Sequence, residues 1–66
     1  MSPDKLAYMA NQIGKFFLSQ TSEDGVASIT DHLKKFWDPR MRRDLVAHID
    51  QVTLDPMVRQ AVERLR

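Results

Sequence analysis

Residues 32–43 read HLKKFWDPRMRR, and this stretch contains the end of one helix and the start of another. Asp38 can accept hydrogen bonds from the first turn of a helix. Pro39 suits the first helical position because its missing N–H would have no partner there. The stretch therefore predicts a corner between two helices.

The same pairing of a capping residue with proline occurs twice more in the chain. Ser2 precedes Pro3, and Asp55 precedes Pro56. Each pair marks a further helix start. A fourth, softer start lies around Ser22, which can cap a helix, and the acidic residues that follow it suit the positive end of a helix dipole.

Apolar residues recur at steps of three and four in each predicted segment, as one face of a helix requires. The first helix is predicted from about Pro3 to Ser19. The four apolar faces comprise Leu6, Met9, Ala10, Ile13 and Phe17; Val26, Ile29, Leu33 and Phe36 or Trp37; Met41, Leu45, His48 or Ile49, and Val52; and Val58, Ala61, Val62 and Leu65. Strand patterns are missing. We therefore expect an all-α fold, a compact bundle of three to four short helices in a single domain over residues 1–66.

The length and composition of the chain limit how it can be stabilised. A chain of 66 residues buries only about 60% of the surface that its unfolded form exposes, so its core is thin. It has no cysteine, which excludes disulfides and thiolate metal sites as sources of stability. Self-association or a partner surface is the remaining source.

The charge of the chain is nearly balanced, with 10 Lys and Arg against 9 Asp and Glu. The total of +1 gives no overall electrostatic reason to bind nucleic acid or an anionic membrane. The C-terminal half is the basic half. Because no apolar run is long enough to span a bilayer and the start lacks a signal-peptide pattern, we expect a cytoplasmic protein.

The residue pattern predicts no catalytic, metal or cofactor site. His32 and His48 lie sixteen residues apart and lack the spacing of a helical zinc site, so a structural role is expected, with His48 at the edge of the core. No serine or threonine lies in a recognisable nucleophile motif. Two glycines, Gly14 and Gly25, cannot form a glycine-rich phosphate loop. A free-standing enzyme is therefore not expected.

The basic and aromatic stretch at residues 32–43 has three interpretations. In the first, Phe36 or Trp37 plugs the core and the cations are a solvated face. In the second, Trp37, Arg40 and Arg43 anchor a partner protein, because Trp and Arg dominate interface energetics. In the third, the helix after the corner binds DNA as a recognition helix does.

The first helix also carries an adjacent aromatic pair. Phe17 shares the core face, whereas Phe16 lies toward Met9, Gln12 and Tyr8. This arrangement is either a broad core stripe or a patch that a partner covers. The pattern alone leaves open which member of each aromatic pair is buried. The predicted partner-binding residues are Tyr8, Met9, Gln12, Phe16, Phe36, Trp37, Arg40, Arg42 and Arg43.

Three segments together resemble the delta subunit of soluble NAD-dependent formate dehydrogenases. They are YMANQIGKFF (residues 8–17), DHLKKFWDPRMRRDLVAHID (residues 31–50) and LDPMVRQAV (residues 54–62). The resemblance implies a non-catalytic subunit of a cytoplasmic complex. In that family other subunits carry the molybdenum or tungsten pterin, the flavin and the iron–sulfur clusters, and the delta subunit carries none.

The resemblance also carries over motif positions, which we expect to build the corner and a docking face. They are Asn11, Gln12, Phe16, Phe17, Phe36, Trp37, Pro39, Arg40, Met41 and Arg42. The implied partners are the other formate dehydrogenase subunits, above all the catalytic alpha subunit, and docking there would aid assembly or stability. The alternatives are a small helical DNA-binding or regulatory protein, and a homodimer when the chain is isolated.

Overall fold

A computed structural model describes residues 2–20 and 24–66, and four α-helices make up most of these ranges. They are α1 (Pro3–Gln20), α2 (Gly25–Phe36), α3 (Pro39–Ala47) and α4 (Pro56–Glu63). No strand occurs in the described ranges, so the predicted all-α fold of three to four helices is confirmed. None of the four combines the length and apolar character needed to cross a lipid bilayer.

Asp24 forms the N-cap of α2. Its carboxylate accepts hydrogen bonds from the backbone N–H groups of Val26 at 3.0 Å and Ala27 at 3.2 Å. These bonds satisfy two of the donors that a helix start leaves without partners. Ser22, the predicted cap, lies outside the described residues.

The three proline-marked helices begin at the predicted positions. The Ser2 hydroxyl accepts from the Lys5 N–H at 3.2 Å, and the Asp38 carboxylate accepts from the Met41 N–H at 2.8 Å. Asp55, in contrast, precedes α4 without a side-chain capping bond. The Asp55 N–H instead donates to the side chain of Asn11 on α1, which holds the start of α4.

The four helices share one hydrophobic core, and α1 and α4 each contact all three of the other helices. Its buried side chains are Leu6, Ala7, Ala10, Val26, Ile29, Leu33, Trp37, Leu45, Ile49, Val58, Ala61 and Val62. One buried polar residue, Thr30, lies between α2 and α4, and its hydroxyl donates to the carbonyl oxygen of Val26 at 2.7 Å. The hydroxyl also lies 3.4 Å from the Ala61 carbonyl oxygen on α4. The local bond satisfies a group that would be costly to bury alone.

Gly14 lies where α1 packs closely against α4. A Cβ atom at this buried position would collide with the side chain of Val58 on α4. Val58 is itself fully buried, so it has little room to retreat. The absence of a side chain at Gly14 therefore permits the α1–α4 contact.

We predict that Gly14→Ala destabilises the protein although alanine is the better helix former. Helix propensity favours alanine by about 0.5–1 kcal/mol, whereas overpacking a core costs about 1–3 kcal/mol. Urea denaturation followed by circular dichroism measures the net loss. The matched control is Gly25→Ala, whose Cβ meets only the flexible terminal methyl of Met57, and it should cost less. Equal or higher stability of Gly14→Ala would show that the helices can separate at no cost.

Candidate docking surfaces

The corner between α2 and α3 separates its two adjacent aromatic side chains. Trp37 is 6% exposed and belongs to the core, whereas Phe36 is 72% exposed. The chain leaves the helix at Trp37, whose backbone is extended while its N–H still donates to the Leu33 carbonyl oxygen at 3.1 Å. This exit places Trp37 among core residues and leaves Phe36, the last residue of α2, facing outward.

This geometry revises one predicted binding residue. The second interpretation makes Trp37 an anchor for a partner protein, whereas its ring is packed inside this chain. The physical reason is the size of the indole, which is the largest apolar side chain available to a thin core. The first interpretation of the stretch, in which one aromatic plugs the core, describes Trp37 correctly.

We predict opposite consequences for stability at the two aromatic positions. Trp37→Ala should lower the free energy of unfolding by about 3–5 kcal/mol, because it leaves a large cavity. Phe36→Ala should change it by no more than about 0.5 kcal/mol, as is usual for an exposed side chain. Thermal melts followed by circular dichroism compare the two variants. A large loss with Phe36→Ala would mean that its ring supports the fold.

Four rings form a continuous surface along α1 and α2, which we call the aromatic strip: Phe16, Phe17, His32 and Phe36. Phe16 meets Phe17 edge to face with ring centroids 5.4 Å apart. Phe17 meets His32 at 5.8 Å, and His32 meets Phe36 at 4.7 Å. Phe17 packs against the core, whereas Phe16 is 57% exposed. Phe17, in the middle of the strip, is thus held by the core, whereas the two end residues are exposed.

The rest of the predicted face on α1 divides between the core and the surface. Met9 is half-buried and packs against the core, so it contributes little free surface. Gln12 is exposed, and Tyr8 is 63% exposed. Tyr8 precedes Phe16 by about two helical turns, or roughly 12 Å along the axis, so it does not adjoin the aromatic strip.

Two of the predicted cations, Arg42 and Arg43, line an open groove of about 450 Å³ at the α2–α3 corner. Its apolar lining consists of Pro39, Val46, Ala47 and Leu65, and its basic lining consists of Lys34, Arg42, Arg43 and Arg66. We call it the basic groove. The Arg42 guanidinium donates to the Lys34 carbonyl oxygen at 3.1 Å, which ties the end of α2 to α3. Arg40 is exposed but does not line the groove.

Asn11 holds the loop between α3 and α4 from across the molecule. Its Nδ2 donates to the Thr53 carbonyl oxygen at 3.0 Å, and its Oδ1 accepts from the Asp55 N–H at 2.9 Å. The second bond satisfies a backbone group next to the uncapped start of α4. The motif position Asn11 therefore has a structural role, which sequence reasoning did not identify. One signal could have indicated this role: Asn11 is a polar residue that follows the buried Ala7 by one helical turn, on the same side of α1.

We predict that Asn11→Ala destabilises the protein by about 1–2 kcal/mol, because it removes two hydrogen bonds and leaves loop groups without partners. Urea denaturation measures the loss. The control is Gln12→Ala, which removes an exposed amide from the adjacent position and should be nearly neutral. If both variants unfolded at the same urea concentration, the loop would be held by other contacts.

Arg59 makes a second long-range connection that the sequence pattern did not reveal. Its guanidinium donates to the Ile49 carbonyl oxygen at 3.2 Å and to the Asp50 carboxylate at 2.7 Å. The hydrogen bond to Asp50 raises the pKa of Arg59 above its ordinary value, so the side chain remains charged. The contact joins α4 to the turn after α3.

Both histidines contact other side chains or backbone. The His48 Nδ1–H donates to the Asp44 carbonyl oxygen at 2.8 Å, and the residue is half-buried. His32 lies within the aromatic strip. Among residues 2–20 and 24–66, no group of three or more His, Cys, Asp or Glu side chains is arranged to hold a metal ion.

Comparison with known protein families gives a match over most of the chain. Residues 5–62 match the family described as NADH-dependant formate dehydrogenase delta subunit FdsD, which covers most of the 66-residue chain. Comparison with curated proteins and with solved structures gives no match.

Proposed function

The chain belongs to the delta-subunit family of NADH-dependent formate dehydrogenase, and we propose that it is a non-catalytic subunit that docks on the catalytic alpha subunit. Docking would aid the assembly or stability of a cytoplasmic molybdenum- or tungsten-containing complex. The aromatic strip is the observation that carries this proposal. Its exposed ends, Phe16 and Phe36, would be covered by the partner.

The strip has the features of a protein interface. Two large apolar rings, Phe16 and Phe36, are exposed within one connected set of aromatic contacts. Aromatic side chains are enriched at interfaces because they bury a large area with few rotatable bonds. Clustered exposed rings are also a liability for a chain that works alone. Coverage by a partner accounts for both facts.

Exposed cations on α3 would guide the docking. Arg40 and Arg43 are exposed there. Complementary charge accelerates association and disfavours wrong partners. We propose that Arg40, Arg42 and Arg43 face an acidic area of the catalytic subunit.

The non-catalytic role is supported by what the polar side chains do. The carboxylates of Asp24 and Asp38 cap helices. Thr30 bonds to the backbone of its own helix, and Asn11 holds a loop. These groups serve the fold. A subunit without chemistry can still raise the yield of active enzyme, because binding only the competent conformation of a partner stabilises it by mass action.

We predict that Phe36→Ser weakens association with the dehydrogenase without unfolding the chain. Loss of an interface aromatic of this kind costs about 2 kcal/mol or more, which corresponds to roughly thirtyfold in affinity. The tagged chain is used to capture the catalytic subunit, and the eluate is assayed for formate-dependent NAD reduction. Wild type should recover this activity, and Phe36→Ser should recover far less.

Two controls make this experiment specific. Phe36→Tyr keeps the aromatic ring at the same exposed position and should retain capture. Lys35→Ala removes the neighbouring side chain, which pairs with Asp31 at 2.9 Å, and should have a small effect. Undiminished capture by Phe36→Ser would contradict docking through the strip. Retention of duplex DNA, released by moderate salt, in place of any dehydrogenase would favour the DNA-binding alternative.

A further inference from the structure

The basic groove is chemically distinct from the aromatic strip. The apolar part of its lining is aliphatic, with Val46 and Leu65 half-buried and Pro39 and Ala47 exposed. An open groove of about 450 Å³ falls within the range of ligand-sized clefts. It is therefore large enough to receive side chains from another molecule.

The charged side chains around this groove have one sign. Lys34, Arg42, Arg43 and Arg66 line it, and no Asp or Glu is among its lining residues. In the part of the chain that the structure describes, Lys34, Arg43 and Arg66 form no ion pair, although other cations on the surface do. The groove therefore combines an apolar floor with basic side chains whose charge no carboxylate side chain of its lining offsets.

Arg42 gives the groove a fixed wall. Its guanidinium is held by the carbonyl oxygen of Lys34, at the end of α2, while its backbone belongs to α3. The remaining N–H donors of a guanidinium can still bond to a carboxylate. A wall of this kind favours a ligand that carries carboxylates at defined positions beside apolar groups.

We infer that the basic groove binds an acidic, amphipathic polypeptide segment, with apolar side chains against Val46 and Leu65 and carboxylates toward Lys34 and Arg43. The segment binds as a helix does in a groove, with its apolar residues spaced by three and four. The inference rests on the proposed function only for the source of the segment, a partner subunit. A nucleic acid would satisfy the cations but would leave the apolar floor unused.

The test uses the full chain and synthetic peptides, without the dehydrogenase. The probe is a fluorescently labelled helical peptide of leucine and glutamate, with leucine at steps of three and four. Its first comparison is the same peptide with glutamine in place of every glutamate, and its second is a duplex DNA of similar charge. Fluorescence anisotropy gives the three affinities at one salt concentration.

Two charge reversals locate the binding site. Arg43→Glu changes an exposed groove residue, and Lys15→Glu makes the same change in net charge on α1, outside the groove. We expect Arg43→Glu to lower the affinity for the glutamate peptide by about tenfold or more, because one attraction becomes a repulsion. The affinity of Lys15→Glu for the same peptide should stay within about twofold of wild type, because a distant charge is screened by salt. Circular dichroism confirms that both variants are folded.

Four results would overturn the inference. They are no binding of the glutamate peptide, equal binding of the glutamine peptide, tighter binding of the DNA, and equal losses with the two charge reversals. Because the assay contains no dehydrogenase, these results leave the Phe36 capture experiment unaffected. The two proposals can therefore fail separately.

Discussion

The burial of Trp37 is the interaction on which the rest of this small structure depends. A thin core needs large side chains to fill it, and the indole supplies volume where α2 ends and α3 begins. Asp38 and Pro39 make the turn sharp, so Trp37 enters the core as the chain leaves the helix. The same geometry excludes Phe36 from the core. The exposed end of the aromatic strip is thus a direct result of how the corner is filled.

Local sequence signals were sufficient to predict the helices. Each proline start depends on a residue and its immediate neighbours, and all three occur where Pro3, Pro39 and Pro56 indicate. Deciding between Phe36 and Trp37 required the exact residue at which α2 ends, which periodicity does not define. The bonds of Asn11 and Arg59 were also beyond local reasoning, because their partners lie on other elements. The candidate site was therefore predicted as a region, and its division into strip and groove came from the structure.

Polar contacts stabilise the segment between α3 and α4, which the small core does not hold by itself. Asn11 holds the loop before α4, and Arg59 joins α4 to the turn after α3. Neither contact enlarges the core. Each instead satisfies backbone groups in the irregular segment between α3 and α4, where regular helical bonds are absent. Apolar packing thus holds the helices together, whereas side-chain hydrogen bonds to the backbone hold the segment between α3 and α4.

The long reach of the Asn11 contact has a consequence for synthesis of the chain. Its partner Asp55 lies 44 residues later, and Gly14 packs against Val58, which is equally distant. Residues 55–58 must therefore be synthesised before α1 can complete its packing against α4. Until then α1 can pack only on α2 and α3, and the part of its apolar face that α4 covers stays exposed on the nascent chain, where it can form non-native contacts. The α1–α4 contact is consequently among the last to form during synthesis.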